Sequence, residues 1–118
     1  MEIQVKPQEV LQGTHTTASY QVQQAFSRIG FVADFDLNER KDPTKSCWFA
    51  IERSEDNLTW VPVVSAHWQG EDIIAPSGER SPNPSISVDF NPDWVGQRFR
   101  VTADIPVSMK FGAYISVE

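Results

Sequence analysis

Asp34-x-Asp36-x-Asn38, with Asp42 beyond it, places side-chain oxygens at alternate positions. A tight turn can converge such oxygens on a hard cation such as calcium. Two positions argue against that chemistry: Glu39 stands where the sharp turn needs glycine, and Lys45 stands where a bidentate carboxylate would close the site. The solvent face of a strand explains the same spacing, because strand side chains alternate with a period of two. No metal and no other cofactor is therefore expected.

The histidines are His15 and His67, and no G-x-S-x-G elbow accompanies either, so a nucleophilic relay has no recognisable frame. One cysteine and two histidines contain no ligand pair at zinc spacing. Cys47, followed by Trp48 and Phe49, reads as a small buried hydrophobe. Glu52 with Asp56, and Asp89 with Asp93, have the form of an acid and nucleophile pair, but any acidic chain supplies such pairs by composition. The expectation is a protein that is not an enzyme and has no catalytic residue.

Four tryptophans are the residues most open to a functional reading, because exposed aromatic faces stack on sugar rings and anchor protein interfaces. Trp48 and Trp60 lie in apolar runs and are expected as core or cross-strand packing. Trp68, beside His67 and Gln69, and Trp94, between Asp93 and Val95, fall at expected strand ends in polar company. Trp68, Trp94 and His67 are the candidate binding residues.

Strands must position all of these. In Cys47 to Ser65, two apolar runs flank the polar break Ser54-Glu55-Asp56-Asn57, which predicts a β-hairpin. Cys47, Phe49 and Ile51 share one face of its first strand, and Trp48, Ala50 and Glu52 share the other; Pro62 marks the return strand as an edge or a bulge. The same alternation predicts strands over 17–26, 29–37, 85–90, 98–105 and 111–117, with Ile29, Phe31, Ala33 and Phe35 giving the clearest case. Residues 1–16 read as a lead-in or an edge strand, 38–46 as a charged loop, 73–75 as a strand remnant, and the proline-rich stretch 76–84 as a surface excursion. No segment shows a helical period. About seven or eight short strands in one domain spanning 1–118 predict an all-β fold, specifically a two-sheet antiparallel β-sandwich of jelly-roll or immunoglobulin-like order.

The chain has 118 residues and a formal net charge of −6, which suits one domain and disfavours nucleic acid or an anionic membrane as partner. The opening MEIQVKPQEV has neither a charged leader nor an apolar core, and no run approaches membrane-spanning length. A cytoplasmic or virion-associated protein is expected.

Ser54-x-Asp56-x-x-Thr59-Trp60 resembles the S-x-D-G-x-T-W hairpin of discoidin-like and fibronectin III-like β-sandwich modules, with Asn57 in place of the glycine. The resemblance implies a sandwich and leaves function open. Trp60 and Trp68-x-Gly70, then Gly96-x-x-x-Arg100-Val101, then Phe111-Gly112, are similar to features of short all-β bacteriophage proteins of unassigned role. The leading functional expectation is a non-catalytic interaction or assembly domain with a protein partner, phage- or virion-associated. The alternative is a carbohydrate-binding module that holds a glycan on its strand-end tryptophans.

Overall fold

The computed structural model describes residues 1–35, 46–69, 72–78, 80–81 and 85–118. Among them the chain forms β1 (Glu2–Thr16), β2 (Tyr20–Gln21), β3 (Arg28–Phe35), β4 (Ser46–Ser54), β5 (Val61–Gln69), β6 (Asp72–Ile74), β7 (Arg80–Ser81), β8 (Ser85–Asp89) and β9 (Arg98–Val117), with one 3-10 turn at Pro92–Trp94. The fold is all-β and every strand pairing is antiparallel. No helix in the described residues is long and apolar enough to cross a membrane.

Pairing is organised around β9. Its first half pairs with β4, from Ser54 opposite Arg98 to Trp48 opposite Asp104, and its second half pairs with β3, from Phe35 opposite Phe111 to Ile29 opposite Val117. Along its other edge β1 runs antiparallel, and β2 continues that edge opposite Phe99 and Arg98. The hydrogen-bonded order is β7-β6-β5-β4-β9-β3-β8. β5 and β8, far apart in that order, nonetheless lie against each other, so the two wings close over one core.

The sequence predicts two strands here, 98–105 and 111–117, ending the first at Pro106; the structure has one strand of 20 residues. The reason lies in the partner. Between Gly13 opposite Ile105 and Leu11 opposite Met109, β1 advances two residues while β9 advances four. Residues 106–108 therefore bulge, and a proline in a bulge has no ladder bond to lose. At this bend β9 exchanges β4 for β3.

Alternation holds where it was cleanest. Cys47, Phe49 and Ile51 are buried, as are Ile29, Phe31 and Ala33. Phe49 of β4 lies 5.8 Å from Phe31 of β3 and stacks at 6.1 Å on Phe111 of β9, ring centroid to centroid. Such pairs contribute about 0.5–1.5 kcal/mol each beyond area burial, and this trio ties both wings to the shared strand. Backbones also meet closely: a Cβ at Gly30 would stand 1.9 Å from the Ile86 carbonyl oxygen, so β8 approaches β3 only because that position lacks a side chain.

Other expectations are corrected. Of the strand expected over 17–26 only Tyr20–Gln21 is strand: the Val22 N–H still donates in register to the Gln97 carbonyl (3.0 Å), but the Gly96 N–H rather than that of Gln97 returns the bond to the Val22 carbonyl (2.7 Å), a bulge at which the ladder ends. The excursion expected over 76–84 contains β7, which pairs Arg80 with Ile74 after a turn closed by the Gly78 N–H on the Ala75 carbonyl (2.9 Å). The 38–46 loop, apart from Ser46 at the start of β4, and Asp36, Asn38 and Asp42 of the calcium pattern, lie outside the described residues.

Candidate functional site

Register builds one continuous row across the solvent face of the sheet. Thr14 of β1 is opposite Asp104 of β9, Asp104 opposite Trp48 of β4, Trp48 opposite His67 of β5, His67 opposite Ile74 of β6, and Ile74 opposite Arg80 of β7. Directly opposed side chains on one face stand about 4.5–5.5 Å apart at Cβ, so these six form a strip of immediate neighbours. Trp48 is its high point. Its alternate neighbours Cys47 and Phe49 fill the core, and it is left 51% exposed. The Trp48 and His67 rings are 4.7 Å apart at 33°, and the Thr14 hydroxyl donates to Asp104 Oδ1 at 3.5 Å.

The neighbouring row is small: Thr16, Thr102, Ala50 and Ser65. With little side-chain bulk beside an indole, two shallow depressions flank Trp48. One, of about 220 Å³, is floored by Ala50, Ser65 and Thr102 and walled by Thr14 and Asp104. The other, of about 290 Å³, is lined by Ser65, His67, Ile74, Ala75, Pro76 and Gly78. One row further, Arg100 pairs with Glu52 (3.0 Å) and the half-buried Trp60 lies over the Arg100 guanidinium, 4.0 Å from it to the ring centroid.

The candidate binding residues do not come together. His67 lies in the strip. Trp68, its neighbour in sequence, points the other way and is 2% exposed, so its ring is core and not surface. It is not at a sheet end, because β6 pairs with His67, Trp68 and Gln69 and extends the sheet past them. Trp94 is half-buried on the core side, edge-on to Phe90 (5.7 Å) and Phe99 (5.9 Å), with the Arg53 guanidinium 5.6 Å from its ring centroid. Trp48, expected as packing, is the exposed ring. Its signal was in the alternation, which put it on the face opposite Cys47, Phe49 and Ile51. Asp104, Thr14 and Ser65 carried no signal of their own, since only register gathers them.

The remaining reactive groups are occupied elsewhere. The Cys47 thiol is pushed up to about 12 by burial, with nearby Asp104 adding to the effect. Asp56 accepts from the Thr59 N–H (2.8 Å), the Leu58 N–H (2.9 Å) and the Ser54 hydroxyl (3.0 Å), which hold its carboxyl below the usual range. Asn57 then takes φ 62°, a left-handed conformation that asparagine tolerates. Asp89 pairs with Arg28 at 2.9 Å, and His15 Nε2 lies 2.9 Å from the Gln12 carbonyl oxygen. Among the described residues no three His, Cys, Asp or Glu side chains cluster to hold a metal ion. The strip offers a flat aromatic surface rimmed by hydroxyls, a carboxylate and an imidazole, with the Arg80 guanidinium at its far end. That set can support the C–H face of a ring and bond to polar groups at its edge.

No family model matches the chain, and no curated protein matches it. The chain is similar to a solved structure titled as that of PirA, at 10% identity over 97% of this chain and 94% of that one, with a TM-score of 0.46.

Proposed function

We propose that this chain is a non-catalytic binding domain that holds a glycan on Trp48. The observation that carries the reading is the 51% exposed indole beside His67, set between two shallow depressions with Thr14, Ser65, Thr102 and Asp104 at hand. A pyranose has an apolar C–H face and a rim of hydroxyls, and this surface presents the complement of both. A protein-binding patch is commonly a broad apolar area, whereas here the polar groups of Thr14, Ser65, Thr102, Asp104 and His67 are interspersed with Ala50, Ile74, Ala75 and Pro76 around one ring.

We further infer a two-sheet sandwich that shares β1 and β9. This is supported by β4 and β3 using different halves of β9, by the bulge between them, and by β5 lying against β8. A protein partner is the second reading. It draws on the hairpin tip, where Leu58 is 84% exposed and Val61 is also exposed, but Glu55, Asp56 and Asn57 interrupt that area.

The test is retention on an immobilised panel of neutral and acidic glycans, comparing the wild-type chain with Trp48→Ala. The expected result is retention on at least one glycan, lost in the variant. Absence of binding to every glycan, or equal binding by Trp48→Ala, would overturn the reading.

A further inference from the structure

We infer that the glycan surface has a second aromatic end at Trp60, and that it takes a linear, uncharged oligosaccharide lying along β4 and not a single terminal sugar. This rests on the glycan reading of Trp48. Trp48, Ala50 and Glu52 point to the same side of β4, and Arg100, opposite Glu52, stacks on the half-buried Trp60 ring. The face therefore runs from one indole, over a floor of Ala50, Ser65 and Thr102, to another. Four residues of strand separate the Trp48 and Glu52 levels, about 13 Å at roughly 3.3 Å per residue, a length of roughly three linked pyranoses.

The second ring is held for this use. Arg100 supports one face of Trp60 by a cation–π contact. Glu52 fixes Arg100 in turn at 3.0 Å, so its charge is offset within the sheet. Between the rings, the hydroxyls of Ser65 and Thr102 lie where the middle of a chain would rest. Arg98, one row beyond, donates to the Ser19 hydroxyl at 3.2 Å. Beside Trp48 the carboxyl lining the floor depression is that of Asp104, which accepts from sugar hydroxyls and disfavours a carboxylate or sulfate. An uncharged chain fits that pattern.

Calorimetric titration tests this with cello-, chito- and malto-oligosaccharides from dimer to hexamer, and oligogalacturonates of the same lengths. The wild-type chain should bind one neutral series, with affinity rising about tenfold or more from dimer to tetramer and then levelling. Trp60→Ala should abolish that rise, and Trp60→Phe, which keeps a flat ring, should restore part of it. Trp48→Ala should lose all lengths. A urea melt with the wild-type slope reports that Trp60→Ala is folded. Affinity independent of length, or a rise that survives Trp60→Ala, would overturn the second end and leave the Trp48 site standing. Tighter binding of oligogalacturonates would overturn the uncharged assignment, and no binding by any series would overturn both readings.

Discussion

The indole of Trp48 and the imidazole of His67 stand 4.7 Å apart, directly opposite one another on the solvent face of β4 and β5. Cys47 and Trp68, one position along on each strand, are likewise opposite one another, and both are buried. Two tryptophans on adjacent strands thus have opposite duties, decided by one step of the pleat.

That difference should appear in stability. Trp68→Ala opens a core cavity and should cost about 3–5 kcal/mol. Trp48→Ala removes a half-exposed ring and should cost less than about 1.5 kcal/mol. Urea melts at constant slope read both as midpoint shifts. A larger loss for Trp48→Ala than for Trp68→Ala would reverse the assignment of faces.

Gly30→Ala should destabilise by at least about 1–3 kcal/mol, the range for overpacking, because its Cβ would collide with the Ile86 carbonyl of the paired strand. Gly112→Ala should also destabilise, since its Cβ would meet the Gln8 backbone nitrogen and the Lys6 carbonyl oxygen at 2.9 Å. Thermal melts of both variants check this. A wild-type melt for Gly30→Ala would mean that β8 does not pack on β3 as described.

How much of this was legible in the sequence depends on what each feature needed. Burial of Cys47, Phe49 and Ile51 follows from a local period of two, and so does exposure of Trp48 on the other face, yet an apolar run invites reading every large residue in it as core. Trp68 looked like a strand end because Gln69 and Gly70 follow it. Only β6, three residues long and paired to it, makes it interior. Pro106 reads as a stop from its own chemistry, and passes as a bulge only because β1 slips register beside it. The binding strip draws on six strands, and no spacing along the chain encodes a row across it.

Cys47 gives a pH prediction. Its thiol is pushed up to about 12 by burial, from an ordinary value of 9.0 that the unfolded chain retains. Below the unfolded value its contribution to stability is fully present. Between the two values the unfolded chain binds fewer protons than the folded one, so stability falls as pH rises, by up to about 1.4 kcal/mol per pH unit. Urea midpoints for wild type and Cys47→Ala, followed from neutral pH to about pH 11, should diverge with the wild type falling more steeply. Parallel curves would contradict the buried thiol, as would rapid labelling by a thiol reagent without denaturant.

The Asp56 carboxylate holds the hairpin turn through the Leu58 and Thr59 amides. Its pKa is lowered by these bonds, so its contribution is present above the unfolded value and is lost as pH falls through the lowered one. Hydrogen exchange at Leu58 and Thr59 should accelerate in Asp56→Ala, and exchange in β3 should not. Unchanged exchange at both amides would show that the turn is held by other groups.

The central claim is that ligand meets the molecule at Trp48. The most direct measurement is a nuclear magnetic resonance titration of the four indole N–H signals, assigned by single Trp→Phe variants, against the neutral oligosaccharide series. The account predicts that the Trp48 signal moves with saturating concentration dependence, joined by Trp60 as chain length grows, while the buried Trp68 signal stays in place. Movement of Trp68 or Trp94 with Trp48 unmoved, or no saturating movement of Trp48 with any neutral chain, would contradict it.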